Sequence, residues 1–571
     1  MSILNSHFAF NPTRLDISRS RLPAMMHNYK SSCNVGDLIP CYIREVLPGD
    51  TVSMDVSNLS RLTPSVHPTM DSAYQDIFFF FVPRRLTWDK WQEFMGENTS
   101  SYWTPTTTYQ TPTIHADSDL HGFRAYSLAD YFGLPLGIVC DVLAEPFRAY
   151  ALIWNEFFRD QNTQTPVNVH KDSISRDFTI STDIIDTEFG GHILKANRFH
   201  DAFSSCLPSP QKGDPVEIPI SGGLAPVVTG DPISDNLLTH NMMTFSTVGR
   251  ENMGLNINDT SVSDTQNSVG VWGDGTPPDT NFELYPSNLW VDFGNGASTA
   301  TSSTVNQLRL AFQMQKILEK LGRGGSRYIE ILKSFFGVTS PDARLQRPEY
   351  LGGRRMSINM KQVVQVSSTD NTSPQANVAG LSVSGEGGHL FAKSFVEHGF
   401  LIGLTCVRCQ HSYQQFIEPF WTRRDRFDYY FPEFANIGDQ PVYQRQLYAT
   451  SENSDPNSSA YNTVFGYQEA WWDYRYHPNQ ITGEMRSTVD GVLDMESNTP
   501  LGTLDSWHYA DKYTTAPTLS SAWMKEGQEN MDRTLAYTSE ITHQIILDFM
   551  FKEDWTRPMP VYSVPGLIDH H

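Results

Sequence analysis

The sequence predicts a mainly β protein in which strands carry the core and long loops and a few helices are built onto them. Three observations point there. The 571 residues include 38 Gly and 34 Pro, with 12% aromatic and 39% hydrophobic side chains, a mix that suits strands and elaborate loops better than long helices. The segment TVSMDVS alternates Val52, Met54 and Val56 with Ser53, Asp55 and Ser57, the period of a strand with one buried face. The run IFFFFV, Ile77–Val82, then sets six large apolar side chains in a row and stops at Pro83. Successive strand side chains point to opposite faces, so this run needs cover on both, from a packed second layer or from another subunit.

Residues 1–40 read as an extended N-terminal arm, locally basic because Arg14, Arg19, Arg21 and Lys30 outnumber Asp16 and Asp37. Residues 41–220 read as the first part of a β core with helical insertions. WDKWQEFMGEN has the spacing of a short helix, with Trp88, Trp91 and Phe94 on neighbouring positions. AEPFRAYALIWNEFFRD predicts a longer one, with Pro146 in its first turn and Phe147, Tyr150, Ala151, Trp154 and Phe158 on one aromatic face that reads as core. From Ser221 to Ser303 the composition changes: nine acidic residues stand against the single Arg250, a net of −8, amid Gly, Ser, Thr and Asn. This stretch reads as a surface insertion with small apolar islands such as NLWVDF. Residues 304–556 return to helices and strands. Thr304 and Gln307 have capping-box spacing, and Gly322 is the expected stop of the first helix. SRYIEILKSFFG predicts a second helix from a Ser326 cap to Gly337. KQVVQVSS, SFVEHGFLIGLTCVRCQ and HQIILDFMF read as strands, the last with Ile545, Leu547, Phe549 and Phe551 on one face. The Pro-rich tail 557–571 is unsuited to helix or central strand.

Charge and cysteine usage exclude several classes. A net charge of −22, from 42 basic against 64 acidic residues, argues against a protein whose main surface grips a nucleic-acid backbone. Six scattered cysteines are too few for a disulfide scaffold at this length. The N-terminus lacks the pattern of a signal peptide, and FLIGLTCV is about half of a membrane span, so no membrane insertion is expected.

No stretch makes a convincing active site. CVRC (Cys406, Cys409), followed by His411, has no second ligand pair, and in a strand the two thiols would face opposite ways. GRGGS (Gly322–Ser326) lacks the Lys-Ser/Thr ending of a P-loop and reads as a tight helix–helix connection. His200 and Cys206 are close in sequence, which says little about closeness in space. No catalytic, metal or cofactor residue is assigned. From residues alone, a carbohydrate-binding or carbohydrate-cleaving β-sandwich would also be acidic, aromatic-rich and loop-heavy.

Longer stretches carry a resemblance. HDAFSSCLPSPQKG (His200–Gly213), YIEILKSFFGVTSPDARLQRPEYLGG (Tyr328–Gly353), FGYQEAWWDYRYHPNQITGEMR (Phe465–Arg486) and RPMPVYSVPGLIDHH (Arg557–His571) resemble the major capsid proteins of gokushoviruses, small single-stranded-DNA phages of the microvirus family. NVGDLIPCYIREVLPGDTVSMD and DIFFFFVPRRLTWDKWQEFMGEN are similar to the same family, in the same order. The resemblance implies an eight-stranded antiparallel jelly roll of viral capsid type, with long inter-strand insertions and a few α-helices. It implies self-assembly into a T=1 icosahedral shell around circular single-stranded DNA, with residues 221–303 as a three-fold protrusion facing a bacterial surface receptor. A small basic DNA-packaging protein, a minor pilot-type protein and an internal scaffolding protein are the implied partners. The implied location is the virion, with assembly in the bacterial cytoplasm. On this reading Arg14, Arg19 and Arg21 are candidates to face the genome, while Phe78, Phe79, Phe80, Phe81 and Trp154 pack the core.

Overall fold

In the computed structural model, the described residues are 19–98, 108–116, 122–178, 191–216, 305–364, 366, 378–487 and 504–562, with the backbone of five short strands between 227 and 291. Eight long strands organise the chain: β1 (Met25–Cys33), β2 (Ile39–Val46), β3 (Thr51–Leu62), β4 (Ala73–Pro83), β5 (Glu349–Ile358), β6 (Val378–Ser394), β7 (Gly399–Cys409) and β8 (Ile545–Arg557). They form two antiparallel sheets in the orders β1–β8–β3–β6 and β5–β4–β7–β2. The chain crosses between sheets at almost every step, and its first and last long strands are neighbours. That is the winding of a jelly roll. Met360–Val364, from KQVVQVSS, extends the first sheet beyond β6.

Alternation places the core between the sheets. On β3, Val52, Met54 and Val56 are buried, and on β8 so are Ile545, Leu547, Phe549 and Phe551, while Ile546 and Met550 face out. These side chains join Ile39, Val46, Leu401 and Val407 of the facing sheet in one cluster.

The Phe run on β4 meets a different layer on each face. Ile77, Phe79 and Phe81 enter the sandwich, where the Phe79 ring lies 5.6 Å from Tyr42 and 5.4 Å from Phe391. Phe80 and Val82 belong to a second cluster on the outer face, with Phe78 packed against it. Its cover is helix α1 (Glu145–Ile153) and the turn that follows, with Phe80 4.8 Å from Phe157 and Phe78 5.2 Å from Phe158. The cover is therefore a second layer of the same chain. Each fully buried Phe contributes roughly 1.5–3 kcal/mol.

Several expectations shift in detail. The helix expected through Asp160 is α-helical only to Ile153; Trp154–Phe158 form a wider π turn, and both Phe157 and Phe158 reach the Phe80 ring from it. Trp154 is buried in this layer, its indole Nε1 donating to the Lys195 carbonyl at 2.9 Å. The first half of the expected arm lies mostly outside the described residues, and its second half is sheet. Ser20–Arg21 and β1 both pair with β8, and inward His27 and Tyr29 lie against Phe551 and Phe549. Polar inward residues hid that strand from a hydrophobic pattern.

Helix α2 (Val305–Gly324) passes Gly322 and ends two residues later, before Gly325 at φ +88°. Helix α3 (Tyr328–Phe336) starts from Arg327 instead of Ser326, because the Glu330 carboxylate accepts the Arg327 N–H at 3.1 Å. Ser326 donates to Gln161 Oε1 instead, through both its backbone N–H and its hydroxyl at 2.8 Å.

Residues 213–318 form a compact unit distinct from 1–212 and 319–571. Most of the expected insertion lies outside the described residues. Within it, Leu289–Val291, from the NLWVDF island, pairs antiparallel with Val227–Thr229, and Thr244–Thr247 pairs with Arg250–Gly254 and Leu284–Pro286. The tail beyond residue 562 is likewise outside.

Candidate assembly and nucleic-acid surfaces

The groups that looked like chemistry are spent on structure. Cys406 and Cys409 project into the outer and inner clusters respectively, opposite faces of β7. Burial pushes the Cys406 thiol up to about 12 and Cys409 well above its ordinary value, so neither is a ready thiolate. His200 is exposed whereas Cys206 is buried, and burial raises that thiol too. Among the described residues no group of three or more His, Cys, Asp or Glu side chains is placed to hold a metal.

His411, just past β7, sits in a buried ionic knot. Its Nδ1 faces Asp511 at 2.9 Å and its Nε2 faces Glu526 at 3.1 Å. Asp511 also accepts from Arg198 at 2.5 Å, Tyr513 at 2.6 Å and Asn530 at 2.6 Å. Burial alone would lower the imidazole pKa, but the two carboxylates outweigh it and raise it to about 10. Asp511 moves the other way: burial would raise it, yet Arg198 and His411 hold it well below the carboxylate range. Apart from the buried Arg198 Nε the members hold one another, and the knot fastens the chain around residues 198, 411, 511 and 526 together. Asp76 on β4 is a smaller version, accepting from Arg355 at 2.6 Å and from Arg408.

The exposed surface is where this chain is unusual. Pro419–Phe434, PFWTRRDRFDYYFPEF, carries seven aromatic side chains interleaved with Arg423, Arg424 and Arg426. Trp421 is 73% exposed and Phe427 66%, with Phe420, Tyr429 and Tyr430 also exposed. The fold here is a series of single 3₁₀ turns, two of them begun by Pro419 and Pro432 and the middle one capped by Asp425, too short to turn these rings into a core. Helix α3 has no buried residue although it reads YIEILKSFF, and its Tyr328 and Phe336 are exposed. Contiguous apolar surface of this kind marks an interaction face. Sequence reasoning passed over 419–434; its signal was aromatic density without strand or helix period.

Of the genome-facing candidates, Arg14 lies outside the described residues. Arg19 and Arg21 are exposed or nearly so at the sheet edge, with Arg21 3.3 Å from Asp554 in a pair too solvated to neutralise it firmly.

Sequence comparison settles the family. The family model for "Capsid protein (F protein)" matches residues 14–567. The chain belongs to this phage capsid protein family. It is 38% identical to capsid protein VP1 of Spiroplasma virus 4, over 98% of this chain and 96% of that one. It is 36% identical to capsid protein VP1 of Chlamydia phage 1, over 99% and 98%, and 37% identical to that of Bdellovibrio phage phiMH2K, over 94% and 93%. The gokushovirus-type resemblance thus spans the capsid protein end to end, and its role is structural, in the virion, and not enzymatic. No helix among the described residues is long and apolar enough to cross a membrane.

Proposed function

We propose that this capsid protein assembles, as identical subunits, into a T=1 icosahedral shell enclosing circular single-stranded DNA in the host cytoplasm. The observation that carries this is full-length similarity to three VP1 capsid proteins on a jelly-roll core whose own layers are complete. With both faces of the Phe run covered internally, the subunit folds before it assembles. The exposed aromatic segment 419–434 and α3 are then the surfaces left for neighbouring copies. Negative-stain microscopy of the protein expressed in a bacterium, alone and with its neighbouring phage proteins, tests it. Uniform small isometric particles in either sample are expected; monomers and small oligomers in both would defeat it.

The acidic unit 213–318 contains the segment we assign to host attachment, residues 221–303, on the strength of its polarity and its net charge of −8. Replacing 221–303 by a short Gly-Ser linker is expected to leave particle yield intact and abolish adsorption to host cells. Unchanged adsorption would refute the assignment.

A subunit of net charge −22 does not neutralise packaged phosphates unaided. A small basic packaging protein supplies that charge in our reading, with Arg14, Arg19 and Arg21 adding a local basic strip. A pilot-type and a scaffolding protein complete the set of partners. Reversing the three arginines to Glu is expected to reduce genome content at constant shell yield; a normal ratio of ultraviolet absorbance at 260 and 280 nm would exclude the arm as a genome contact.

A further inference from the structure

Against the outer face of β4 lies a cavity of about 660 Å³ lined by guanidinium groups and aromatic rings. Arg159, Arg198, Arg323, Arg327 and Arg408 line it; Arg198, Arg323 and Arg408 are ion-paired with Asp511, Asp439 and Asp76, and the lining itself holds the carboxylates of Asp160 and Glu330. Both carboxylates are already engaged. Asp160 accepts the Thr163 N–H at 2.8 Å, and Glu330 accepts from Gln161 at 2.7 Å and from Arg327 at 3.3 Å.

Arg159 stands out among the cations. It makes no ion pair among the described residues, and its side chain donates from Nη1 to the Gln164 carbonyl at 2.8 Å. Its Nε is buried without a hydrogen-bond partner, as are those of Arg198 and Arg408 on the same wall. Burial, then the neighbouring Arg327, push the Arg159 pKa down against the opposing pull of Glu156, Asp160 and Glu330. Buried donors of this kind call for an acceptor.

Another part of the wall is aromatic, beside polar residues such as Gln161, Asn162 and Asn197. Phe78 and Phe158 lie 5.2 Å apart, Phe80 and Phe157 4.8 Å, and Phe80 and Tyr350 5.5 Å, forming one continuous patch. Tyr350 and His200 are exposed, so the cavity opens at a wet rim. A bare anion would use the arginines and leave most of this volume and the rings idle. An acidic peptide would likewise have no use for the rings. A neutral sugar would leave the Arg159 guanidinium without a counter-charge. A nucleotide uses both: phosphate oxygens accept from guanidinium N–H groups, and the base stacks on aromatic faces.

We propose that this cavity binds one nucleoside monophosphate unit, its phosphate at Arg159 and its base against the Phe158–Tyr350 wall. The source of that unit, a packaged strand or a free nucleotide, rests on the capsid reading; the chemistry of the cavity does not.

The test uses the full-length protein and titrates octathymidylate, thymidine 5′-monophosphate, thymidine, inorganic phosphate and an oligo-glutamate peptide, followed by calorimetry at two salt concentrations. Salt-sensitive binding of the nucleotides is expected, with thymidine and phosphate each at least about tenfold weaker than the monophosphate, since neither makes both sets of contacts. Tighter binding of the octamer than of the monophosphate assigns the site to a strand, and the reverse order to free nucleotide. Arg159→Gln is expected to weaken nucleotide binding about tenfold, the loss of one charge-assisted contact, while Arg475→Gln, on an exposed pair elsewhere, leaves it unchanged. If Arg159→Gln does not fold, Tyr350→Ser on the rim serves, and should narrow the gap between monophosphate and phosphate. Equal binding of phosphate and monophosphate, preference for the peptide, or indifference to these substitutions would overturn the proposal. Shells that form but bind no nucleotide would sink the cavity assignment alone, whereas nucleotide binding without shells would sink the capsid reading and leave the cavity standing.

Discussion

Phe79→Asp and Phe80→Asp are each expected to abolish soluble protein and particles. The two adjacent residues are both essentially inaccessible, yet they are buried in different layers, Phe79 between the sheets and Phe80 under the α1 insertion. Each substitution forfeits the roughly 1.5–3 kcal/mol of a buried Phe. It also buries a carboxylate among apolar side chains, between the sheets at position 79 and against Phe157 at position 80, which costs several kcal/mol more or forces protonation. Against a total stability on the order of 5–15 kcal/mol, either loss is enough to empty the native state. Phe79→Leu and Phe80→Leu keep most of the apolar contact and should remain soluble. Soluble fraction after lysis, followed by particle counts, checks the series. Normal yield from both Asp variants would mean that one of the two layers does not exist as described.

Asp511→Ala is the second large effect. It leaves Arg198 and His411 buried without their shared counter-ion, a loss of about 3–5 kcal/mol for a broken buried pair. By contrast Arg475→Ala, which breaks the Arg475–Glu469 pair with both side chains more than half exposed, should stay within about 0.5 kcal/mol of wild type. Denaturant midpoints of the three proteins decide it; similar midpoints would show that the knot is not holding its segments together. The knot also carries a pH signature. His411 rises from an ordinary 6.5 to about 10, so its stabilisation is complete below pH 6.5 and is lost as pH climbs through 10. Asp511 is depressed, so its stabilisation is present above the usual carboxylate range and lost on acidification. The stability difference between wild type and His411→Gln should therefore shrink between pH 6.5 and 10, and a constant difference across that window would count against a charged imidazole.

Wherever a local rule decided the outcome, the fold was legible in the sequence. Alternation located β3 and the inward face of β8, because period-2 patterning is a property of the strand itself. Proline and glycine marked the start of α1 and the end of α3, since both act on backbone dihedrals locally. The Phe run announced that two faces needed cover. The run alone did not say whether a second layer or a neighbouring subunit would supply it. That depended on α1, which lies more than sixty residues downstream and is brought back by the winding of the chain.

The strand β1 was misread as arm because its inward positions hold His27 and Tyr29, which become core residues only when Phe551 and Phe549 of β8 lie beside them. From its spacing the CVRC–His411 stretch is not read as a metal site. Its His411 has a purpose that sequence spacing could not show, since the partners Asp511 and Glu526 lie 100 and 115 residues away. The same holds for the arginine-lined cavity, assembled from six chain segments that are unremarkable one at a time.

By itself, then, the sequence determined strand faces, helix ends and, through the resemblance of several long stretches, the capsid family. Which layer covers which face, which charges meet in the interior, and where arginines and aromatic rings line a common cavity were decided only by tertiary structure. The reason is physical: patterning and capping act within a few residues, whereas burial and ion pairing depend on distances between segments that only the closed fold defines.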